Sequence, residues 1–124
     1  MSLIIFALLL FKHFICDYLT QTPYQITHKQ IYGHPGGLLH ALIHGMGTFL
    51  VLIFFYSPAL ALVCASLDCL IHYHIDWIKA VITHKFKLVD QGATARKFWA
   101  LYGFDQFLHQ MTYLGIILFA QSIY

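Results

Sequence analysis

The sequence contains no glutamate and few charged residues of any kind. Its side-chain carboxylates are therefore all aspartates, namely Asp17, Asp68, Asp76, Asp90 and Asp105. The absence of glutamate excludes the carboxylate-bridged di-iron pattern of helical bundles, which depends on Glu-x-x-His. The three cysteines have no CxxC spacing and lie in apolar segments, and we interpret them as reduced thiols of the core.

The scarcity of charge also bounds the class of protein. The 124 residues are 60% hydrophobic and only 10% charged, whereas soluble proteins contain roughly 25% charged residues. A soluble domain of this length could not bury so much apolar surface, so lipid is the expected solvent. The net charge of +2 is too small to indicate a nucleic-acid partner. We predict a single transmembrane domain, residues 1–124, in contact with membrane lipid.

Four apolar stretches organise the chain, at about residues 3–19, 38–56, 59–82 and 98–123. Each is close to the ~20 residues that cross ~30 Å of hydrocarbon. The first has no basic residue before it and no small-x-small pattern, so we expect a retained helix and not a cleaved signal. Connection 20–37 is polar, Ser57 and Pro58 mark a tight turn, and connection 83–97 is basic with a break at Gly92. The pattern predicts an all-α fold, an integral membrane four-helix bundle.

The basic residues predict the orientation of this bundle. Five of the seven fall in connections 20–37 and 83–97, as Lys29, Lys85, Lys87, Arg96 and Lys97, and Lys79 lies just inside the same side. The positive-inside rule then places both connections in the cytoplasm and both termini on the non-cytoplasmic side. We expect a multi-pass protein of a bacterial inner membrane.

Each predicted helix carries two potential metal ligands four positions apart. The pairs are His13 and Asp17, His40 and His44, His72 and Asp76, and Asp105 and His109. Residues at i and i+4 lie one above the other on a helix face. All four pairs fall at a similar depth from the cytoplasmic ends of their helices, so a bundle would bring them into one layer.

The cost of charge in a membrane indicates what these pairs do. An ionised aspartate in hydrocarbon costs at least ~2.5–3.5 kcal/mol, so these side chains should face inward and be neutralised. Imidazole and carboxylate suit zinc, manganese and iron. We predict one or two divalent ions, zinc first among them, held by these eight residues. Hydrogen bonds between helices, or a haem, are the alternatives.

Three residues are candidates for further roles in a reaction at such a site. Asp105 or Asp68 is the candidate general base, because one aspartate can remain free of the metal. Lys79 follows Asp76 on the same helix face, where it would either attract an anionic headgroup or extend to the membrane surface.

The motifs HFICDYLTQT, HALIH, HYHIDWIKA and FDQFLHQ resemble those of a family of small bacterial and phage-borne membrane proteins, domain of unknown function 3307. The resemblance covers nearly the whole chain. It implies a multi-span membrane protein whose corresponding positions here are His13, Asp17, Gln21, His40, His44, His72, Asp76, Lys79, Asp105, Gln106 and His109. More loosely, the pattern is similar to membrane-bound metal-dependent hydrolases.

These observations favour a metal-dependent hydrolase that acts on a lipid or lipid-linked substrate at the cytoplasmic leaflet. A second hypothesis is a redox protein containing iron or haem. A third is a protein without enzymatic activity, either a cation or proton conductor or a structural membrane protein. Outward-facing aromatic residues leave room for a homodimer.

Overall fold

The computed structural model describes residues 1–91 and 95–124, and every regular element in them is helical. Helix α1 spans Ser2–Phe14 and continues into a π-helical turn, Ile15–Leu19. The remaining α-helices are α2 (Pro23–Thr27), α3 (Pro35–Leu52), α4 (Pro58–Lys85) and α5 (Arg96–Ile123). A short 3-10 turn, Val89–Gln91, follows α4. Gly92, which the sequence marks as a break, lies outside the described residues.

Proline begins two of the long helices, each time after a side-chain cap. Ser57 precedes Pro58, and its Oγ accepts a hydrogen bond from the Leu60 N–H at 3.4 Å. Proline suits this position because the first N–H groups of a helix have no partner within the helix. Helix α3 begins in the same way at Pro35, where the His34 Nδ1 accepts from the Gly36 N–H at 3.1 Å. The expected start at residue 38 was late because the two glycines after Pro35 suggest a loop.

Helix α2 lies inside the connection that the sequence describes only as polar. Thr22 and Gln25 form a capping box there: the Gln25 side chain accepts from the Thr22 N–H at 2.8 Å, and the Thr22 hydroxyl accepts from the Gln25 N–H at 3.4 Å. Gln25 is buried, and α2 packs against α3. The connection is therefore folded over the ends of the long helices.

The long helices enclose a common interior. Helix α3 packs on α4, α4 packs on α5, and α1 contacts both α3 and α5. Three segments of the described chain are long and apolar enough to cross a membrane: Ser2–Leu19, Pro35–Leu52 and Pro58–Lys85. Their length and composition indicate a membrane-associated protein. Helix α5, the fourth span expected from the sequence, has 28 residues but is not one of these three.

The two ends of the molecule differ in chemistry. At one end, which we call the loop end, both connections line a cavity of about 540 Å³. At the other, the termini end, the Gln121 side chain donates to the Ser2 hydroxyl at 2.5 Å. The buried apolar cluster lies toward the termini end and consists of Ile5, Leu9, Leu52, Tyr56, Leu60, Ala61, Cys64, Tyr113, Ile116, Ile117 and Ala120. The interior is therefore apolar toward one end only.

Helices α3 and α4 approach closely at Gly45. A Cβ atom there would lie 2.9 Å from the Cys69 Cβ and 3.0 Å from the Ala65 carbonyl oxygen. Small residues let helix backbones approach each other in this way. In a membrane the hydrophobic effect does little to hold helices together, so van der Waals packing at such approaches contributes to their association.

We expect Gly45→Ala to destabilise the fold by about 1–3 kcal/mol, because an added methyl group forces α3 and α4 apart. Gly115→Ala is the matched control, since a Cβ on that helical glycine meets nothing within 4 Å. The free energy of unfolding in mixed detergent and dodecyl sulfate measures both. Equal stabilities for the two variants would contradict the close approach at Gly45.

Candidate metal centre

The eight side chains that the sequence pairs by spacing meet in the interior. Seven of them are buried and Asp17 is half-buried. In the described residues they form three groups whose ligand atoms lie within 4.8 Å of one another and could hold a metal ion. These groups are Asp17, His40, His44 and His72; His13, His72 and His109; and Asp76, Asp105 and His109. Their role as ligands remains a prediction, although their convergence is now a structural fact.

Asp17 is at the centre of the first group. Its Oδ1 lies 2.9 Å from the His44 Nε2 and 3.1 Å from the His40 Nε2. The other oxygen, Oδ2, lies 3.1 Å from the His13 Nε2. His72 is more distant, with its Nε2 4.0 Å from Oδ1. One carboxylate thus contacts imidazoles from α1 and α3 and approaches one from α4.

The π-helical turn sets the position of Asp17. Its defining hydrogen bond runs from the Thr20 N–H to the Ile15 carbonyl at 3.0 Å, which is an i to i+5 spacing. Such turns are rare and occur often at functional sites. The sequence places Asp17 on a regular α-helix, because a π turn has no clear signature in composition or periodicity.

The third group joins α4 to α5. The His109 Nε2 lies 3.5 Å from an Asp76 oxygen and 3.6 Å from an Asp105 oxygen. The His72 ring stacks on the His109 ring at a centroid distance of 4.2 Å and on the His44 ring at 3.6 Å. His72 therefore lies between the first group and the third, which makes the eight side chains one continuous cluster.

Several buried polar atoms of this cluster make no hydrogen bond to the described residues. They are the His72 Nδ1, and the His109 Nε2 and Asp105 Oδ1, which lie 3.6 Å apart at an ion-pair distance too long for a hydrogen bond. A buried polar atom without a hydrogen bond is costly, and an ion is one of the standard explanations. The donor chemistry fits as well, because neutral imidazole and carboxylate are both ligands of zinc. The residues present therefore suit a divalent metal.

Lysines neutralise three aspartates of the interior. Nζ to Oδ2 distances are 2.5 Å for Lys29 and Asp76 and 3.3 Å for Lys79 and Asp105. The sequence indicated only that Lys29 lies in a cytoplasmic connection, and gave no sign of its contact with the cluster. The contact joins residues 47 positions apart, so no local spacing could have indicated it.

The third pair, Lys12 and Asp68, lies beside the cluster. The Lys12 Nζ donates to the Asp68 Oδ2 at 2.8 Å and to the His44 carbonyl at 3.0 Å. The Thr48 hydroxyl donates to the same Asp68 oxygen at 2.5 Å. Both charged groups are almost fully buried. Asp68 is not in any of the three metal-capable groups, and its role as a general base remains a prediction. The one sequence signal for Lys12 was an ionisable residue inside an apolar run.

Amide and hydroxyl groups surround the imidazoles. The Gln21 Nε2 lies 3.0 Å from the His40 Nε2, and the His13 Nε2 lies 3.1 Å from the Gln106 Oε1. The Tyr113 hydroxyl lies 2.8 Å from the His13 Nδ1. Such outer contacts orient ligating side chains. Gln110, which follows His109 in the sequence, is exposed.

The remaining histidines lie outside the cluster. His74 points away from it and contacts the Tyr32 hydroxyl at 3.2 Å. His28 and His34 stack on each other in the first connection at a centroid distance of 4.3 Å. His84 lines the cavity at the loop end.

The fold and the cluster define an all-helical, membrane-associated protein with buried His and Asp groups that could hold metal ions. The chain belongs to the DUF3307 family, described as a protein of unknown function, whose model matches residues 5–124. This confirms the family resemblance seen in the motifs. No curated protein and no solved structure matches the chain significantly.

We expect either Lys12→Met or Asp68→Leu alone to destabilise the protein by about 3–5 kcal/mol, because each leaves a buried charge unpaired. The double variant should lose clearly less stability than the two single variants lose together, since it removes both charges. The free energies of unfolding of the wild type, the two single variants and the double variant give the coupling energy. Additive losses would show that the two side chains do not act as a pair.

Proposed function

We propose that the protein is a multi-pass inner-membrane protein, with α1, α3, α4 and α5 forming a four-helix bundle and both termini on the non-cytoplasmic side. Its His and Asp cluster would hold divalent metal, zinc first among the candidates, with manganese or iron possible. The activity we propose is hydrolysis of a lipid or lipid-linked substrate at the cytoplasmic leaflet. The observation that supports the proposal is the convergence of eight potential ligands, seven of them buried, from four helices.

The groupings support two ions with different surroundings. Asp17, His40, His44 and His72 offer four donors, the number found at closed structural zinc sites. Asp76, Asp105 and His109 offer only three, the number found at catalytic zinc sites, which keep one position open. The cavity at the loop end reaches this third group, because Asp76 lines the cavity. We therefore assign the chemistry to the group of Asp76, Asp105 and His109.

The reaction we propose is addition of water across an ester bond. The water oxygen bonds to the phosphorus or acyl carbon, the bond to the leaving oxygen breaks, and that oxygen takes up a proton. A divalent ion supplies polarisation of the electrophile and an activated water. From the chain itself, Asp76, Asp105 and His109 would hold that ion, and the Lys79 Nζ lies 3.3 Å from the Asp105 carboxylate.

Two alternatives from the sequence fit the structure less well. A bis-histidine haem needs a macrocycle between two imidazoles, whereas His44 and His72 stack directly at 3.6 Å and His72 and His109 at 4.2 Å. A conductor needs a polar path to both ends, whereas the apolar cluster fills the interior toward the termini end. Iron without haem remains compatible with the same ligands.

We expect detergent-purified protein to contain near-stoichiometric zinc, manganese or iron, and Asp17→Ala or His44→Ala to lose the ion of the four-membered group, because each removes one of its donors. Elemental mass spectrometry measures the content. His74→Ala is the matched control, since His74 lies outside the cluster, and it should keep the metal. Full occupancy in both ligand variants would refute the site. No metal in any sample, even after reconstitution, would leave a hydrogen-bonded packing network.

We expect metal-loaded protein in lipid nanodiscs to release a hydrolysis product from one class of membrane lipid, and Asp105→Asn to abolish this release while its helicity is retained. Mass spectrometry of extracted lipids detects the product, with His74→Ala again as the control. Unchanged lipids at full metal occupancy, over phosphoester and acyl-ester panels, would argue against hydrolysis.

A further inference from the structure

Two cavities of different chemistry meet at Lys79. The larger, of about 540 Å³, opens at the loop end, and its basic side chains include Lys29, Lys79 and Lys87. The smaller is an apolar cleft of about 110 Å³ between α4 and α5. Its apolar walls are Ile75, Ile78, Ile82, Leu101, Phe104 and Leu108. Lys79 is part of both linings.

The same two cavities border one metal-capable group. Asp76 lines the larger cavity and Asp105 lines the cleft, and both belong with His109 to the third group. A molecule with a polar part in the cavity and an apolar part in the cleft would thus have its junction beside these two carboxylates. Lipids of the surrounding membrane have this division.

We propose that the substrate is a membrane lipid with a phosphate headgroup, which enters sideways between α4 and α5. The headgroup occupies the basic cavity, and the first methylene groups of an acyl chain occupy the cleft. The reaction at this lipid rests on the proposed hydrolase function, whereas the binding of the lipid does not. The phosphoester bond of the bound lipid lies beside Asp76 and Asp105.

Charge complementarity selects the headgroup. The cavity is lined by three lysines, of which Lys29 and Lys79 are paired with Asp76 and Asp105, and a metal ion bound to those two carboxylates would leave the cavity with an excess of positive charge. Ammonium groups are strong donors to phosphate oxygens, and a zwitterionic headgroup would offset that attraction with its own cation. The Lys79 Nζ also lies 4.7 Å from the centre of the Tyr102 ring, which holds it at the boundary of the two cavities.

The lysine pairs link lipid binding to the metal. Lys29 is ion-paired with Asp76, and Lys79 is ion-paired with Asp105. Both carboxylates belong to the third group. A cation on those carboxylates competes with both lysines and leaves their ammonium groups available to phosphate. Coupling of this kind is reciprocal, so phosphate lipid should bind more tightly to the metal-loaded protein.

Native mass spectrometry of zinc-loaded protein with dioleoyl phosphatidate and dioleoyl phosphatidylcholine tests the proposal. We expect a preference for phosphatidate that falls about tenfold in Lys79→Ala, the loss typical of one charge-assisted hydrogen bond. Lys85→Ala is the matched control, because Lys85 ends the same helix without lining either cavity. Metal removal should weaken the preference.

A second pair of variants tests the cleft. Leu101→Trp fills it and should abolish phosphatidate binding, whereas Leu118→Trp, exposed elsewhere on α5, should not. Metal content of both variants reports that the fold is intact. Equal binding of the two lipids would overturn the headgroup assignment. Full competition by inorganic phosphate, with no effect of Leu101→Trp, would assign the cavity to a soluble phosphate. Specific binding without hydrolysis would uphold the binding of the phosphate lipid and refute the hydrolase.

Discussion

The constraint on which the structure depends is the neutralisation of aspartates within an apolar protein. A carboxylate buried without a positive partner costs several kcal/mol. Lysines are such partners for three of the four interior aspartates, Lys12 for Asp68, Lys29 for Asp76 and Lys79 for Asp105, and imidazoles contact Asp17. Because these partners come from other helices or from the first connection, each contact also fixes how two segments pack. The contacts that neutralise the aspartates are therefore also contacts that determine the tertiary structure.

The interior is divided along its length, and the division determines how a ligand can reach the cluster. Toward the termini end, apolar side chains such as Leu9, Leu52 and Ile117 fill the space between the helices. Toward the loop end, the cavity extends to Asp76. The cluster is therefore closed toward the termini end and open toward the loop end.

The agreement between sequence and structure is closest where the relevant interactions are local. Two ligands at i and i+4 share a helix face whatever the rest of the chain does, so the pair of His40 and His44 could be predicted from spacing alone. The start of α3 was harder, because its cap is a histidine and two glycines follow Pro35. Helix α2 depends on a capping box at Thr22, in a segment too short and polar to show periodicity.

The sequence by itself determined the helical class, the apolar character of the long segments and the four ligand pairs, because composition and helical period act within one segment. Only the tertiary structure decided which pairs meet, which lysine neutralises which aspartate, and that a π turn presents Asp17 to imidazoles of α3. The contact of Lys12 with Asp68 joins residues 56 positions apart. Such pairings depend on the register and rotation of packed helices. Close approaches such as the one at Gly45 fix both, and neither is encoded in a single segment.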